Sequence, residues 1–300
     1  MTNVAIRPAR PTDRDAVLAF CQRTWDDGDY IESVWDEWLA DPSGSLLVAV
    51  IASNPVAMVR VALLDASESW IEGLRVAPDA RRHGIGAALA AEALRVAQER
   101  GASVCRLFTG SDNLASQALF AAAGFERVAH LIGFEAPARA VVPSQALPPG
   151  GTLRTPGAGE RDRLWAYLEA SQWAPLYGGL LVSGWRAQAF TPELLATRMA
   201  AGEVWTLEVA GAIQALAIGR VRASEGEGGT AGGRLGIRYL DGTPEGIGRL
   251  ALLLRGEAQR RGLARVTALA PESLIVRDAL AGAEYAPPDD EALLCYAREL

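Results

Sequence analysis

The sequence contains no lysine: all 29 of its strongly basic residues are arginine, set against 36 carboxylates, for a formal net charge of −7. A nucleic-acid surface needs clustered positive charge to displace counterions, so this balance argues against a nucleic-acid partner and mildly favours a cationic ligand. The missing lysines, beside abundant alanine and glycine, read as a genome-composition bias. Cysteine is scarce as well. Cys21, Cys105 and Cys295 are odd in number, far apart and in no CxxC pair, which gives neither a disulfide framework nor a zinc site. No apolar run reaches the ~20 residues that a membrane span requires. The opening MTNVAIRPARPTDRD lacks the apolar core of a secretory signal. The expectation is a cytoplasmic protein without a membrane partner.

What is present suits one or two full cores: 300 residues, half of them hydrophobic. Residues 136–151, APARAVVPSQALPPGG, hold four prolines and no apolar period, and read as a linker between domains at 1–135 and 152–300. In the first half, strands are expected at Val4–Arg7, Ser45–Ile51, Pro55–Leu64, Ser69–Val76, Ser103–Thr109 and Phe125–Glu135. Helices are expected from a Thr12 cap to Trp25, and over Ile31–Leu39, Gly84–Arg100 and Leu114–Ala123. The second half follows the same script, with strands at Thr152–Arg154, Val204–Val209, Ala212–Val221, Arg234–Leu240 and Ala264–Ala270 and helices at Gly157–Ala170 and Gly246–Arg261. AQERGAS and AQRRGLA occupy equivalent places, as do Gly84-Ile85-Gly86 and Gly246-Ile247-Gly248, which points to an internal duplication. The fold class is α/β with a mixed sheet in each half.

The chemistry concentrates at Ser69–Ala87. A strand runs into Pro78, which has no N–H for a ladder, and then into Arg81-Arg82-His83-Gly84-Ile85-Gly86 and a helix. Glycines let the backbone approach a ligand and aim successive N–H groups at it, and the helix adds its positive end. This is an anion site suited to a pyrophosphate, although a glycine pair alone also serves any tight strand-to-helix turn.

Arg81-x-x-Gly84-x-Gly86 after a strand and proline resembles the pyrophosphate motif of the GNAT acyl-CoA N-acyltransferase superfamily, Q/R-x-x-G-x-G/A. Asn113, Phe120 and Gly124-Phe125 fall where that superfamily has N-x-x-A-x-x-x-Y-x-x-x-G-F. The resemblance covers residues 4–135 by motif and 152–300 by topology, and so implies two tandem GNAT-like domains. It implies acetyl-CoA as co-substrate. Leu74, Arg75 and Val76 would lie along the pantetheine, with the backbones of Leu74 and Val76 pairing with it. The N–H groups over Arg82, His83, Gly84, Ile85, Gly86 and Ala87 would hold the pyrophosphate, and Asn113 would stand beside the thiol end. Ser116 and Phe120 depart from the motif. Phe120 has no hydroxyl to protonate the leaving thiolate, so it would pack against the donor, and the acid's role is either empty or filled by water, Tyr30 or Ser111.

Direct transfer needs a neutral amine against the thioester and an acceptor for its proton. Relatives often place a glutamate where Glu72 stands. Glu72 is therefore the candidate base, an ion-pair partner being the other reading. Of the two histidines, His83 offers a backbone N–H and His130 reads as structural. Between Arg23 and Arg60 seven acids and no base interleave with Trp25, Tyr30, Trp35 and Trp38. Trp25, Asp26, Asp29 and Tyr30 are the candidates to hold a cationic amine. The phrases WDDGDYI and WIEGLRV look like those of a branch that includes histidine N-acetyltransferase-like proteins.

In the second half the matching loop reads Thr243-Pro244-Glu245-Gly246. Pro244 removes a donor and Glu245 repels phosphate, which makes this domain degenerate. Two functions stay open: an N-acetyltransferase acting on a small primary amine such as an amino acid or aminoglycoside-like compound, and a non-catalytic acyl-CoA-binding sensor or interaction protein. The oligomeric state stays open too, a homodimer included.

Overall fold

Runs of alternating apolar residues set the strands, and 3.6-residue periodicity sets the helices. The computed structural model describes residues 4–24, 28–222, 232–288 and 292–300. The first half runs β1 (Val4–Pro8), α1 (Arg14–Cys21), α2 (Ile31–Ala40), β2 (Gly44–Ile51), β3 (Asn54–Leu63), β4 (Glu68–Val76), α3 (Ile85–Glu99), β5 (Val104–Gly110), α4 (Leu114–Ala122) and β6 (Glu126–Pro137). The short α5 (Pro143–Ala146) follows. The second half runs β7 (Gly151–Arg154), α6 (Arg161–Glu169), β8 (Leu180–Ser183), β9 (Arg186–Ala189), α7 (Pro192–Ala200), β10 (Val204–Val209), β11 (Ala212–Arg222), β12 (Arg234–Gly242), α8 (Pro244–Arg260), β13 (Arg265–Pro271), α9 (Leu274–Gly282) and β14 (Ala292–Glu299). Apart from the inserted β8–β9 hairpin, the second series repeats the first element for element.

Two compact units result, and each holds the other half's last strand. The first is built from Met1–Thr109, Asn113–Arg127 and Cys295–Leu300, the second from Gly110–Asp112 and Val128–Leu294. The first unit's strands lie in the order β1-β2-β3-β4-β5-β14; β1 to β4 are antiparallel and β4 is parallel to β5. In the second the order is β7-β10-β11-β12-β13-β6, with only β12 and β13 parallel. The linear division at 135 and 152 is thus crossed by an exchange of strands. Equivalent slots beside β5 and β13 accept either copy of a duplicated strand, so apolar pattern alone does not assign them.

Both units bury one stripe of their longest helix. On α3 the buried residues are Ile85, Leu89, Ala90, Ala93, Leu94 and Ala97, and on α8 they include Ile247, Leu250, Ala251, Leu254 and Ala258. The expected linker is packed rather than extended: Ala146 is buried, and its carbonyl accepts a 3.0 Å hydrogen bond from Arg249. The first helix also starts differently from expectation. Thr12 lies in a short 3-10 turn, and Asp13 supplies the anchor, accepting from the Arg10 N–H at 2.7 Å and pairing with Arg7.

One position shapes β4. The β3–β4 register passes from Arg60↔Glu72 to Met58↔Arg75, so Gly73 and Leu74 together face Val59 in a bulge. Gly73 has φ +65°, and a Cβ there would lie 2.6 Å from the Trp38 ring. Gly73→Ala is therefore expected to cost roughly 2–4 kcal/mol through left-handed strain and overpacking, measured by urea denaturation. An unchanged unfolding midpoint would contradict this reading of the bulge.

Candidate functional site

Ahead of the bulge, β4 already leaves its parallel neighbour. The two strands pair only from Glu68↔Val104 to Trp70↔Arg106, and the rest of β4 diverges from β5. The bulge at Gly73 and Leu74 lies inside the diverging stretch and adds to its twist. At the end of β4 the chain turns through Pro78–Ala80 into the exposed residues Arg81, Arg82, His83 and Gly84. Arg82 (φ 64°) and Gly84 (φ 76°) are both left-handed, an arrangement that turns backbone N–H groups toward one side. No side chain caps α3, so its first N–H groups stay available to an anion. A Cβ on Gly84 would meet nothing within 4 Å; one on Gly86 would sit 3.6–3.9 Å from Leu119, Val76 and Leu74. The open side of this loop is thus at Gly84, while Gly86 faces the apolar wall.

Two expected backbone acceptors are already engaged from within. Arg81 Nε donates to the Val76 carbonyl at 3.1 Å, and Arg75 Nη1 donates to the Leu74 carbonyl at 3.1 Å. Asn113 caps α4, its side-chain oxygen accepting from Ser116 N at 3.1 Å. Phe120 is buried edge-to-face against Phe125, with ring centroids 5.3 Å apart. Ser111 exchanges hydrogen bonds with Ala292 in the second unit and is taken up by that role.

On the other face of β4 the acids and aromatics meet arginines. Glu72 pairs with Arg60 at 2.6 Å. Arg60 is 1% exposed, also pairs with Asp41, and lies 5.0 Å over the Trp38 ring. Glu72 thus stands in an ion pair, a contact compatible with either role that the sequence set out for it. Asp29 is bound by Arg75 at 2.6 and 3.2 Å with its side chain 1% exposed, so its carboxylate holds the arginine and offers no open face to an amine. Arg75 stacks 5.5 Å from the Tyr30 ring, and Tyr30 meets Trp38 edge-to-face. Tyr30 is half exposed. Burial raises its hydroxyl above the ordinary phenol value; Arg75 opposes this, and Glu72 and Asp29 add to it. Tyr30, Glu72, Asp29 and Arg75 are thus brought together. Trp25 and Asp26 lie outside the described residues. His83 is exposed in the loop, and His130 pairs with Glu272 at 2.5 Å in the second unit.

The second unit closes the equivalent gap with its own side chain. β12 and β13 pair from Arg234↔Arg265 to Ile237↔Ala268 and then separate. Into that separation comes Tyr177, fully buried; its hydroxyl accepts from Leu240 N at 3.0 Å and lies 3.4 and 3.5 Å from the carbonyls of Leu240 and Leu269. Its ring stacks on Tyr239 at 4.4 Å. Thr243 caps α8 at Gly246 N (3.0 Å), so this helix start is satisfied internally, and Glu245 is exposed and paired with Arg249. Asp241 alongside is buried, with hydroxyl partners in Ser171 and Tyr239; burial raises its pKa against those bonds.

Arg60 and Asp241 were not singled out from the sequence, and neither was the place of Tyr177 between two strands. Arg60 does carry a signal, as the lone charge in the apolar strand PVAMVRVAL. Tyr177 carries none, because its role depends on a gap between two strands that follow it in the chain.

Comparison with known proteins adds to this geometry. The model of the Acetyltransferase (GNAT) family matches residues 14–125. The chain is 30% identical over 109 residues to the histidine N-acetyltransferase of Oreochromis niloticus, covering 35% of this chain and 32% of that protein. It is 34% identical over 152 residues to the mycothiol acetyltransferase of Catenulispora acidiphila, covering 47% and 48%. With the aminoglycoside N(6')-acetyltransferase type 1 of Klebsiella aerogenes it shares 30% identity over 145 residues, 44% of this chain and 95% of that one. The match thus spans a third to a half of the first two relatives and nearly all of the third. Among solved structures, a GCN5-related N-acetyltransferase from Sphaerobacter thermophilus superposes with a TM-score of 0.61 at 17% identity, over 99% of this chain and 95% of its own. A tandem GNAT protein from the clavulanic acid biosynthesis pathway gives 0.50 at 17% identity, over 99% and 98%. At these identities the likeness concerns the fold.

The plugged gap makes a direct prediction. Tyr177→Phe leaves the Leu240 N–H buried without its acceptor, and a loss of about 1–3 kcal/mol is expected in denaturant unfolding. Equal stability of the variant and the parent would show that the hydroxyl does not close the gap.

Proposed function

Because this chain belongs to the Acetyltransferase (GNAT) family, we propose that it moves an acetyl group from acetyl-CoA to the primary amine of a small molecule, using one donor site in its first half. The observation that carries this reading is the contrast between the two units. The first has a diverging strand pair, an exposed left-handed loop and an uncapped helix start; in the second Tyr177 and Thr243 fill the same places. Residues 1–135 then supply the catalytic domain, while 152–300 form a degenerate partner.

Acetyl-CoA supplies the thioester. Backbone N–H groups of residues 82–87 hold its pyrophosphate, Leu74, Val76 and Leu119 form the apolar wall, and Asn113 stands at the start of α4. The amine nitrogen attacks the thioester carbon as its proton leaves; the N–C bond forms, the C–S bond breaks and the thiolate departs. Glu72, fixed in place by Arg60, takes the amine proton directly or through water. Tyr30, held between Arg75 and Trp38, orients the acceptor and donates toward the leaving sulfur, since Phe120 has no hydroxyl to give. Two relatives are named for histidine and an aminoglycoside, both amine-bearing small molecules. Asp29 contributes to this site through Arg75, which it binds.

The test is thiol release from acetyl-CoA across amino acids, polyamines and aminoglycosides. Release with at least one amine is expected, and Glu72→Gln should lower kcat about tenfold or more, a barrier rise of ~1.4 kcal/mol. Gly84→Asp has room for its side chain but sets a carboxylate in the loop, so it should fold and weaken acetyl-CoA binding about tenfold or more in calorimetry. Tight acetyl-CoA binding with no release across the panel would favour the sensor reading, and full activity of Glu72→Gln would remove it as the proton acceptor.

A further inference from the structure

In the second unit, the face of β12 opposite the buried Leu235 and Ile237 carries Arg234, Gly236 and, at a bulge, Arg238. Arg222 on β11 is the register partner of Arg234. Gly236 leaves a niche at this place. A Cβ there would lie 3.6 Å from Arg238 Nη2 and 3.6 Å from Thr267 Oγ1, the latter on the register partner in β13. Thr267 Oγ1 is buried and makes no hydrogen bond. Among the described residues no carboxylate pairs with Arg222, Arg234 or Arg238, whereas Arg163, Arg198, Arg220 and Arg265 each have one. Burial and the positive charges of Arg222 and Arg234 pull the Arg238 pKa down to about 10. The fold thus sets Arg238 and an unused hydroxyl at one gap in the side-chain layer, with Arg222 and Arg234 on the same face of the sheet, an arrangement that is costly unless a ligand offsets it.

We propose that Arg222, Arg234, Arg238 and Thr267 form a binding site for a phosphate group, separate from the loop at Gly84. Guanidinium groups match the oxygens of a phosphate in paired hydrogen bonds, and a hydroxyl donates to a further oxygen. Three cations are better balanced by a dianion than by a single carboxylate. The site does not depend on the acetyl-transfer reading, and it would serve free phosphate or a small phosphate monoester.

The experiment is calorimetric titration of the full chain at fixed ionic strength with inorganic phosphate, with glycerol phosphate and with chloride. It is done in the Gly84→Asp background so that the first unit's loop does not contribute. Phosphate is expected to bind more tightly than chloride. Adding Arg238→Gln should weaken it roughly tenfold or more, with Thr267→Val weakening it several-fold. A monoester binding more tightly than inorganic phosphate would mark a phosphorylated ligand, and the reverse order would mark free phosphate. Without phosphate, Arg238→Gln should unfold at the same or a higher temperature, because it relieves repulsion. Phosphate binding no tighter than chloride would overturn the proposal. So would unchanged phosphate affinity in both Arg238→Gln and Thr267→Val.

Discussion

Gly73 under the Trp38 ring is the constraint from which the first unit's working parts follow. No residue with a Cβ fits there, and the left-handed backbone inserts an extra residue into β4 opposite Val59. That bulge lies where β4 has already parted from β5, and it sets Glu72 and Arg75 on one face, on the side of α2. Trp38 in turn lies beneath Arg60, which binds Glu72 and Asp41. A single packing contact thus joins the bulge of β4 to the ion pairs of the opposite face.

The second unit has the same strand divergence and a different occupant. Tyr177 sits in the gap of the second unit and accepts from the Leu240 N–H, and Thr243 satisfies the helix start. These are ordinary ways of closing a polar gap, since an unpaired buried N–H is costly. The duplicated element order shows that the two units share an architecture; the side chains in the gap decide what each can bind. Pro244 and Glu245, which the sequence suggested would spoil a phosphate loop, matter less than expected because Thr243 and Tyr177 already occupy the place.

Much of this was legible in the residues. Periodicity located β1 to β5 and α2 to α4 within a residue or two, and the Arg81–Gly86 motif marked the loop. The exchange of β6 and β14 was not legible, because duplicated strands with similar patterns fit either slot. Neither was the commitment of Asp29 to Arg75, since a carboxylate 46 residues away in sequence finds its partner only through the fold. The acidic-aromatic stretch looked like a cation trap; of its described acids, Asp29 and Asp41 are bound by arginines from β4 and β3. Arg60 was visible as an isolated charge in an apolar strand, but its partners were not.

The central claim is that one of two similar units keeps a donor site while the other is filled by its own side chains. The number of acetyl-CoA molecules bound per chain tests it most directly, by isothermal titration of the intact protein at concentrations well above the dissociation constant. The account predicts one equivalent per chain. Two equivalents, or one that persists unchanged when the Gly84 loop carries a carboxylate, would contradict it.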